Sequence, residues 1–345
     1  MKTHFTLWLP GLRPDKKLAS ELGRLPQQEQ PQLKNLNLLL SRADRVLATD
    51  IVQHDFILDQ LAEHDVQCDL WPMAKWRLAI EEFEAALGSQ QWICADPVYL
   101  HPDRSAALLH AHQELEIKLE EAQAIAELIN HYYKDEPWRL HVGSSHRWYI
   151  ELDKTIDLIT HALQLVKGKN IFDYFPEGKD SGYWQQRINE IQMLLHASET
   201  NQQREEQGML PINSLWLWGY AATATNENLP WQHVYTNDAV VNGLALLGGS
   251  NVNNLPSSVN DVKDTQGDVL IYYDKLSFLL NQQDVYAWLS ELQHLEDDWF
   301  SPLLNRLNNS SDMQITLLTN NNEAYILKSK YLKRWWRRNN KNNLF

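Results

Sequence analysis

ASETNQQREEQGMLPINSLWLWG, residues 197–219, holds the turn on which the fold reading rests. A helix ends near His196, Gly208 serves a turn, and Pro211 leads into the apolar run Ser214–Trp218, which has the length and side chains of a strand. Helix, turn and strand in succession are the parts of an α/β protein. Outward from this segment the same alternation continues. Phe5–Leu9, Trp92–Ala95, Arg139–Val142, Trp148–Leu152, Val269–Tyr273 and Gln314–Leu318 read as further strands. Apolar residues recur at helical spacing over Leu115–Tyr132, Trp184–Leu195 and Val285–Leu307, and Pro302 is expected to kink the last of these.

The middle of the chain, Gln91–Leu152, reads strand–helix–strand–strand, with a hairpin turning at Gly143–Ser145. Strand–helix alternation resumes after Ser214. The expected organisation is an α/β core from residues 1–60 and 200–345, an inserted α+β cap at 90–160, and helical connections at 61–89 and 161–199.

The 345 residues include 31 Lys and Arg against 45 Asp and Glu, for a net charge of −14, with 43% hydrophobic residues. That composition supplies ample core and excludes collagen-like, low-complexity and disulfide-scaffold classes. Only Cys68 and Cys94 are present, with no Cys/His spacing of a zinc site, and a reduced, cytoplasmic compartment is expected. No window is apolar enough to span a bilayer, and the opening MKTHFTLWLPGL is too short for a secretory core. From Ala324 onward there are seven basic residues and no acidic one. The remainder holds 24 basic against 45 acidic residues, a net −21, and such a body repels nucleic acid except through the tail Lys328–Lys341.

Phosphate-cradling motifs are missing: there is no GxxxxGK[ST] or GxGxxG, and Gly248-Gly249 reads as a helix cap. His110, His112, Glu114 and Glu116 read as a solvated, mixed-charge helix start, with a metal site as the alternative. His141 and His146 flank the hairpin turn. Ligands of an α/β fold gather after the strands, and here those ends read DKLSFLLNQQ (274–283) and TNNNEAY (319–325), poor in metal ligands. Around the opening segment, Asn201, Arg204 and Asn213 have two roles open to them: gripping a carboxylate or phosphate, or satisfying the backbone of the turn.

Residues 183–219 resemble a stretch of the archaeal-type cofactor-independent phosphoglycerate mutases that runs helix, H-P-x-N-x-x-R, x-x-x-G, P-A-N, strand, G. Asn201, Arg204, Gly208, Pro211, Asn213 and Gly219 fall on that pattern. ICADPVYLHPDR (93–104), EEAQAIAELINHYY (120–133) and SSHRWYIEL (144–152) resemble further segments of the family, with Asp103-Arg104 and His146-Arg147 at its charged pairs. NEIQMLLH, LPINSLWLWG and the basic aromatic tail are similar to a bacterial branch labelled RpfE-type regulatory proteins. The resemblance implies an alkaline-phosphatase-like core sheet flanked by helices, with the inserted α+β cap. For an active mutase it also implies two Mn or Zn ions and a transiently phosphorylated Ser.

The sequence departs from that chemistry at four places. The first strand ends Leu9-Pro10-Gly11 in place of Asp-Gly, and the expected nucleophile segment, HDFILDQLAEHD (54–65), has no Ser. Asp274 alone remains of the ligand block after Val269–Tyr273, and Asn320–Asn322 replace the final Asp-His. A non-catalytic, cytoplasmic regulatory or scaffold protein is therefore expected, without a cofactor or metal, with an unidentified protein partner. Arg104, Arg147 and Arg204 are expected to converge, with Asn201 and Asn213, on a phosphorylated or carboxylated metabolite. The alternatives are an active mutase and a nucleic-acid-associated module using YLKRWWRRNN (331–340). The tail is expected to fold back on the acidic body.

Overall fold

The computed structural model describes residues 3–24, 30–52, 70–81, 91–103, 106–111, 114–221, 227–263, 266–320 and 322–337, with positions 26, 28 and 57. In chain order the strands are β1 (Thr3–Trp8), β2 (Asp44–Leu47), β3 (Gln91–Asp103), β4 (Ala106–Ala111), β5 (Trp138–Val142), β6 (Trp148–Leu152), β7 (Ser214–Trp218), β8 (His233–Tyr235), β9 (Asn251–Asn253), β10 (Gly267–Tyr272), β11 (Met313–Leu318) and β12 (Glu323–Lys328). The helices are α1 (Lys16–Leu22), α2 (Lys34–Arg42), α3 (Met73–Leu78), α4 (Leu119–Tyr132), α5 (Leu163–Val166), α6 (Ser181–His196), α7 (Glu199–Glu206), α8 (Ala239–Leu247), α9 (Lys275–Asn281), α10 (Val285–Leu295) and α11 (Ser301–Asn308).

Contacts divide the chain into two units, Met1–His64 with Glu227–Phe345, and Asp65–Asn226. The second unit is wider than the expected cap at 90–160. It also takes in β7, which the sequence reading put in the core with residues 200–345. An all-apolar strand such as SLWLW suits the middle of either sheet, so its composition does not reveal its partner.

The first unit is a seven-stranded mixed sheet in the order β2-β12-β11-β1-β10-β8-β9. β1 is central and parallel to both β10 and β11, while β12 and β2 complete one side in antiparallel fashion. Parallel strands covered on both faces are apolar along most of their length, and Phe5 through Leu9 are all buried; the one polar side chain among them, Thr6, accepts from Trp231 Nε1 at 3.1 Å. Helices α2, α10 and α11 supply Leu36, Trp288, Leu292 and Leu303 to this core. Gly11 lets the chain leave β1 against α9. Its φ is +78°, and a Cβ there would stand 2.4 Å from Ser277 N.

The expected helix Val285–Leu307 is interrupted by a π-helical turn at Glu296–Phe300, just before Pro302. Proline has no N–H for the carbonyl four residues back, and Ser258 Oγ donates to that Asp298 carbonyl at 2.9 Å instead. The same turn buries Glu296 against the start of α2, where its carboxylate accepts from Asn35 N at 2.6 Å and Leu36 N at 3.0 Å. Leu33, the residue before α2, offers no capping side chain, so Glu296 caps that helix from a distant part of the sequence.

The second unit is an antiparallel sheet, β4-β3-β6-β5, with β7 also paired to β3. β7 takes one edge of β3 along Cys94–Val98. The other edge is shared by β6, at Gln91–Cys94, and β4, at Val98–Asp103. Pro97 lies between those two ladders, where no N–H is required. Asp96 fills the same gap: its carboxylate accepts Trp148 N at 3.2 Å, at the end of β6. Helices α4 and α6 pack Ile125, Ile129, Trp184 and Ile191 onto this sheet.

Asp96 and Arg77 form the buried charge pair of this unit, with Nη1–Oδ2 at 2.7 Å and Nη2–Oδ1 at 2.6 Å. Trp218 Nε1 also donates to Asp96, at 2.8 Å, and the guanidinium lies over the rings of Tyr149 and Trp218 at 4.7 and 5.0 Å. Burial alone would lower the Arg77 pKa, but Asp96 more than offsets it and the guanidinium stays charged. Removing one member of such a pair leaves a bare charge in the interior. Asp96→Ala is expected to cost about 3–5 kcal/mol in urea unfolding, and the double change Arg77→Met, Asp96→Leu distinctly less. Equal losses would show that the charges are not coupled.

His4 sets a pH dependence in the first unit. Its Nε2 lies 3.1 Å from the Gln314 amide nitrogen, which can only donate, and 2.7 Å from Thr316 Oγ1; Nδ1 faces Asp268 Oδ1 at 3.2 Å. Those partners fit a neutral ring with its proton on Nδ1. Burial pushes the imidazole below its ordinary 6.5, although Asp268 pulls the other way. The unfolded chain therefore takes up the proton first as pH falls below 6.5, so this contribution is lost on acidification. The melting temperature is expected to fall from pH 7 to pH 5, and less steeply in His4→Gln. An unchanged slope in that variant would rule out a neutral buried His4.

Candidate functional site

In the first unit, β1, β10 and β11 lie parallel, and their carboxyl ends are where such a sheet places its ligands. Those ends carry Leu9-Pro10-Gly11, Tyr273-Asp274 and Thr319-Asn320. Trp8 and Tyr272, paired in register, meet edge to face with centroids 4.6 Å apart. Burial pushes the Tyr272 phenol well above its ordinary value, and Asp238 and Asp274 add to the shift. Asp238 caps α8, accepting Val241 N at 2.8 Å. Asp274 begins α9 without a side-chain capping bond, and burial pushes its carboxyl up. Beside it, Tyr273 donates to the buried carboxylate of Glu291, which also meets Lys275 Nζ at 2.5 Å.

The two divalent ions of an active mutase would need several carboxylates and imidazoles at these strand ends. The residues present do not fit: Asp274 is the one acid directly after the three central strands. Among the described residues, no three His, Cys, Asp or Glu side chains come together as a metal-binding group. The segment HDFILDQLAEHD lies almost wholly outside the described residues, as does Asn321.

The second unit holds the candidate anion-binding residues and gives most of them other work. Arg204 is fully buried. Its Nη1 meets both Glu121 carboxylate oxygens at 3.0 Å, its Nε donates to Leu210 O at 2.9 Å, and its Nη2 donates to Leu115 O. Asn201 donates to Leu195 O and Ile212 O and accepts Ile212 N, each at 2.8 Å. Asn213 accepts Leu100 N at 2.8 Å and donates to Leu100 O at 3.0 Å. These three side chains bond to backbone groups of the turn between α7 and β7 and of its neighbours, and Arg204 also to the Glu121 carboxylate. A buried carbonyl without a donor costs as much as the missing bond, which is why the amides and the guanidinium are held there.

Arg147 is different. Its side chain keeps 34% exposure, and Nε and Nη2 reach the Glu81 carboxylate at 2.5 and 3.3 Å. Glu81 also accepts from Tyr149 OH at 3.1 Å, and Tyr149 OH accepts from Arg77 Nε at 3.0 Å. Arg147 thus ends a chain of hydrogen bonds that begins at Asp96. Burial pushes Tyr149 well above its ordinary value, which keeps the phenol neutral within the chain. The hairpin over Glu81 closes with Gly143 N and Ser144 N on Arg147 O at 3.0 and 3.2 Å, and a Cβ on Gly143 would meet Glu81 at 2.7 Å. Arg104 lies outside the described residues.

Arg147 and Arg204 each pair with a carboxylate of their own. Their partners, Glu81 and Glu121, are far in sequence, unlike the nearby Asp103, Glu151 and Glu205. Glu151 pairs with His141 Nε2 at 2.9 Å. His110 lies on a strand, not on the expected helix start, and its Nδ1 meets Glu114 at 2.8 Å while Lys167 meets the other carboxylate oxygen at 3.0 Å. His112 is outside the described residues. Arg77 and Asp96 escaped the sequence reading; an Asp inside the apolar run ICADPVYL was their one signal.

No protein-family model matches the chain. It is 27% identical over 139 residues to the 2,3-bisphosphoglycerate-independent phosphoglycerate mutase of Methanosarcina barkeri, covering 39% of this chain and 34% of that protein. The enzyme of the same name from Methanosarcina mazei is 28% identical over 105 residues, covering 30% and 26%. The match thus spans about a third of those relatives' length or less. Among solved structures, the PH0037 protein from Pyrococcus horikoshii superposes with a TM-score of 0.55 at 12% identity, over 95% of this chain and 87% of that one. The fold is a mixed α/β one with a central sheet flanked by helices, and over part of its length the chain is distantly similar to archaeal 2,3-bisphosphoglycerate-independent phosphoglycerate mutases.

Proposed function

We propose that this protein is a phosphoglycerate-mutase-like regulatory or scaffold protein that acts by binding and not by turnover. The observation that carries this reading is the composition of the strand ends. Phosphoryl transfer through a serine needs a nucleophile, and charge on the moving phosphoryl group must be neutralised by fixed cations. Pro10-Gly11, Asp274 and Thr319-Asn320 supply one carboxylate between them. The bonding of Arg204 to Glu121, Leu115 O and Leu210 O supports the same reading, because the resemblance implies that this arginine points at substrate in the enzymes. A cytoplasmic place in the RpfE-type bacterial branch, with a protein partner, belongs to this proposal.

The test is direct. The full chain, purified without chelator and supplied with Mn²⁺ or Zn²⁺, is expected to interconvert 2- and 3-phosphoglycerate no faster than a buffer control, and to release no phosphate. Metal-dependent turnover that Asp274→Asn abolishes would overturn the proposal and make the chain an active mutase.

A further inference from the structure

The chain leaves β12 into a short 3₁₀ turn, Ser329–Lys333, and the residues after it are clamped against the end of α2. Arg334 makes a forked pair with Asp44, Nη1–Oδ1 at 2.5 Å and Nη2–Oδ2 at 3.2 Å, and its guanidinium lies 3.4 Å from the centroid of the Tyr331 ring. Arg337 adds Ala43 O at 2.5 Å and Asp44 at 3.1 Å. Hydrogen bonding from Arg334 holds the Asp44 carboxyl down at about 2, so the clamp stays charged at any physiological pH.

This clamp folds the segment back, as the sequence suggested, but it does not bury the indoles. Trp335 is 79% exposed and Trp336 64%. Two adjacent, fixed and solvent-facing tryptophans are costly to leave in water. Around them stand Lys330 and Lys333, both exposed, and no carboxylate among the described residues pairs with either. The surface is thus cationic and aromatic on a protein of net charge −14. At physiological ionic strength charges beyond about 8 Å are screened, so the local cations and not the distant acids decide what approaches.

We propose that Ser329–Arg337 is a docking surface for an anionic phospholipid bilayer. Indoles partition into the headgroup layer with little demand on orientation, and lysines beside them meet lipid phosphates and carboxylates. Stable attachment needs an apolar and an electrostatic contribution together, and this segment carries both. No helix of the described residues is long and apolar enough to cross a membrane, so the contact is at the surface. Single-stranded nucleic acid would use the same cations, but it stacks successive bases on ring faces. The two indole planes stand at 83° to each other, which suits one base and not two in succession.

Flotation of the full chain with vesicles tests this. Vesicles of phosphatidylcholine with 30 mol% phosphatidylserine are expected to carry the protein upward, pure phosphatidylcholine vesicles not, and 0.5 M NaCl to weaken the association. Trp335→Ser with Trp336→Ser is expected to weaken binding at least tenfold, as is Lys330→Ala with Lys333→Ala, with circular dichroism showing that each variant folds. Absence of flotation, or flotation of both variants equal to that of the unaltered chain, would overturn the proposal. So would tight binding of oligodeoxythymidine, read by anisotropy and lost in the tryptophan variant.

Discussion

The carboxylate of Asp96 is the constraint around which the second unit is arranged. It lies where the β6 and β4 ladders leave a gap along β3, and it accepts from Arg77, Trp218 and the Trp148 backbone. A charge at such depth is tolerable only with every lone pair engaged. Arg77 is fixed in turn, Tyr149 spans from Arg77 to Glu81, and Glu81 holds Arg147. The partly exposed Arg147 is therefore positioned by a chain of bonds that runs back to a buried acid.

The first unit solves a related problem with less charge. Its sheet is apolar on both faces, and its polar groups are used at element ends, where backbone N–H and C=O groups lack partners. Glu296 caps α2 from a π turn, Asp238 caps α8, and Ser258 serves the carbonyl that Pro302 abandons.

Much of the fold was legible because burial writes a clear pattern. FTLWL, WYIEL, SLWLW and ITLL are apolar runs too short for helices, and each is a strand. β8 and β9, three residues each, are too short to show a period. AALLHA is assigned to no element from sequence, and β3 recruits it as β4. The expected strand Trp92–Ala95 is only the first part of β3, which runs on to Asp103 with Pro97 in the ladder gap. The site was harder to read. Arg204 and Asn201 have the chemistry of a ligand grip, and only their depth and the carbonyls around them show that they serve the turn. Glu81 and Glu121 could not be matched to Arg147 and Arg204 from spacing, because both contacts are long-range.

On the proposed reading, strand ends that carry Pro10-Gly11, Asp274 and Thr319-Asn320 have no use for paired divalent ions. Isothermal titration of the full chain with Mn²⁺ and with Zn²⁺ addresses this most directly. No binding with a stoichiometry of two per chain in the micromolar range is expected, and Asp274→Asn should leave the isotherm unchanged. Two tight equivalents of metal per chain, with at least one lost on Asp274→Asn, would contradict it and return the strand ends to catalysis.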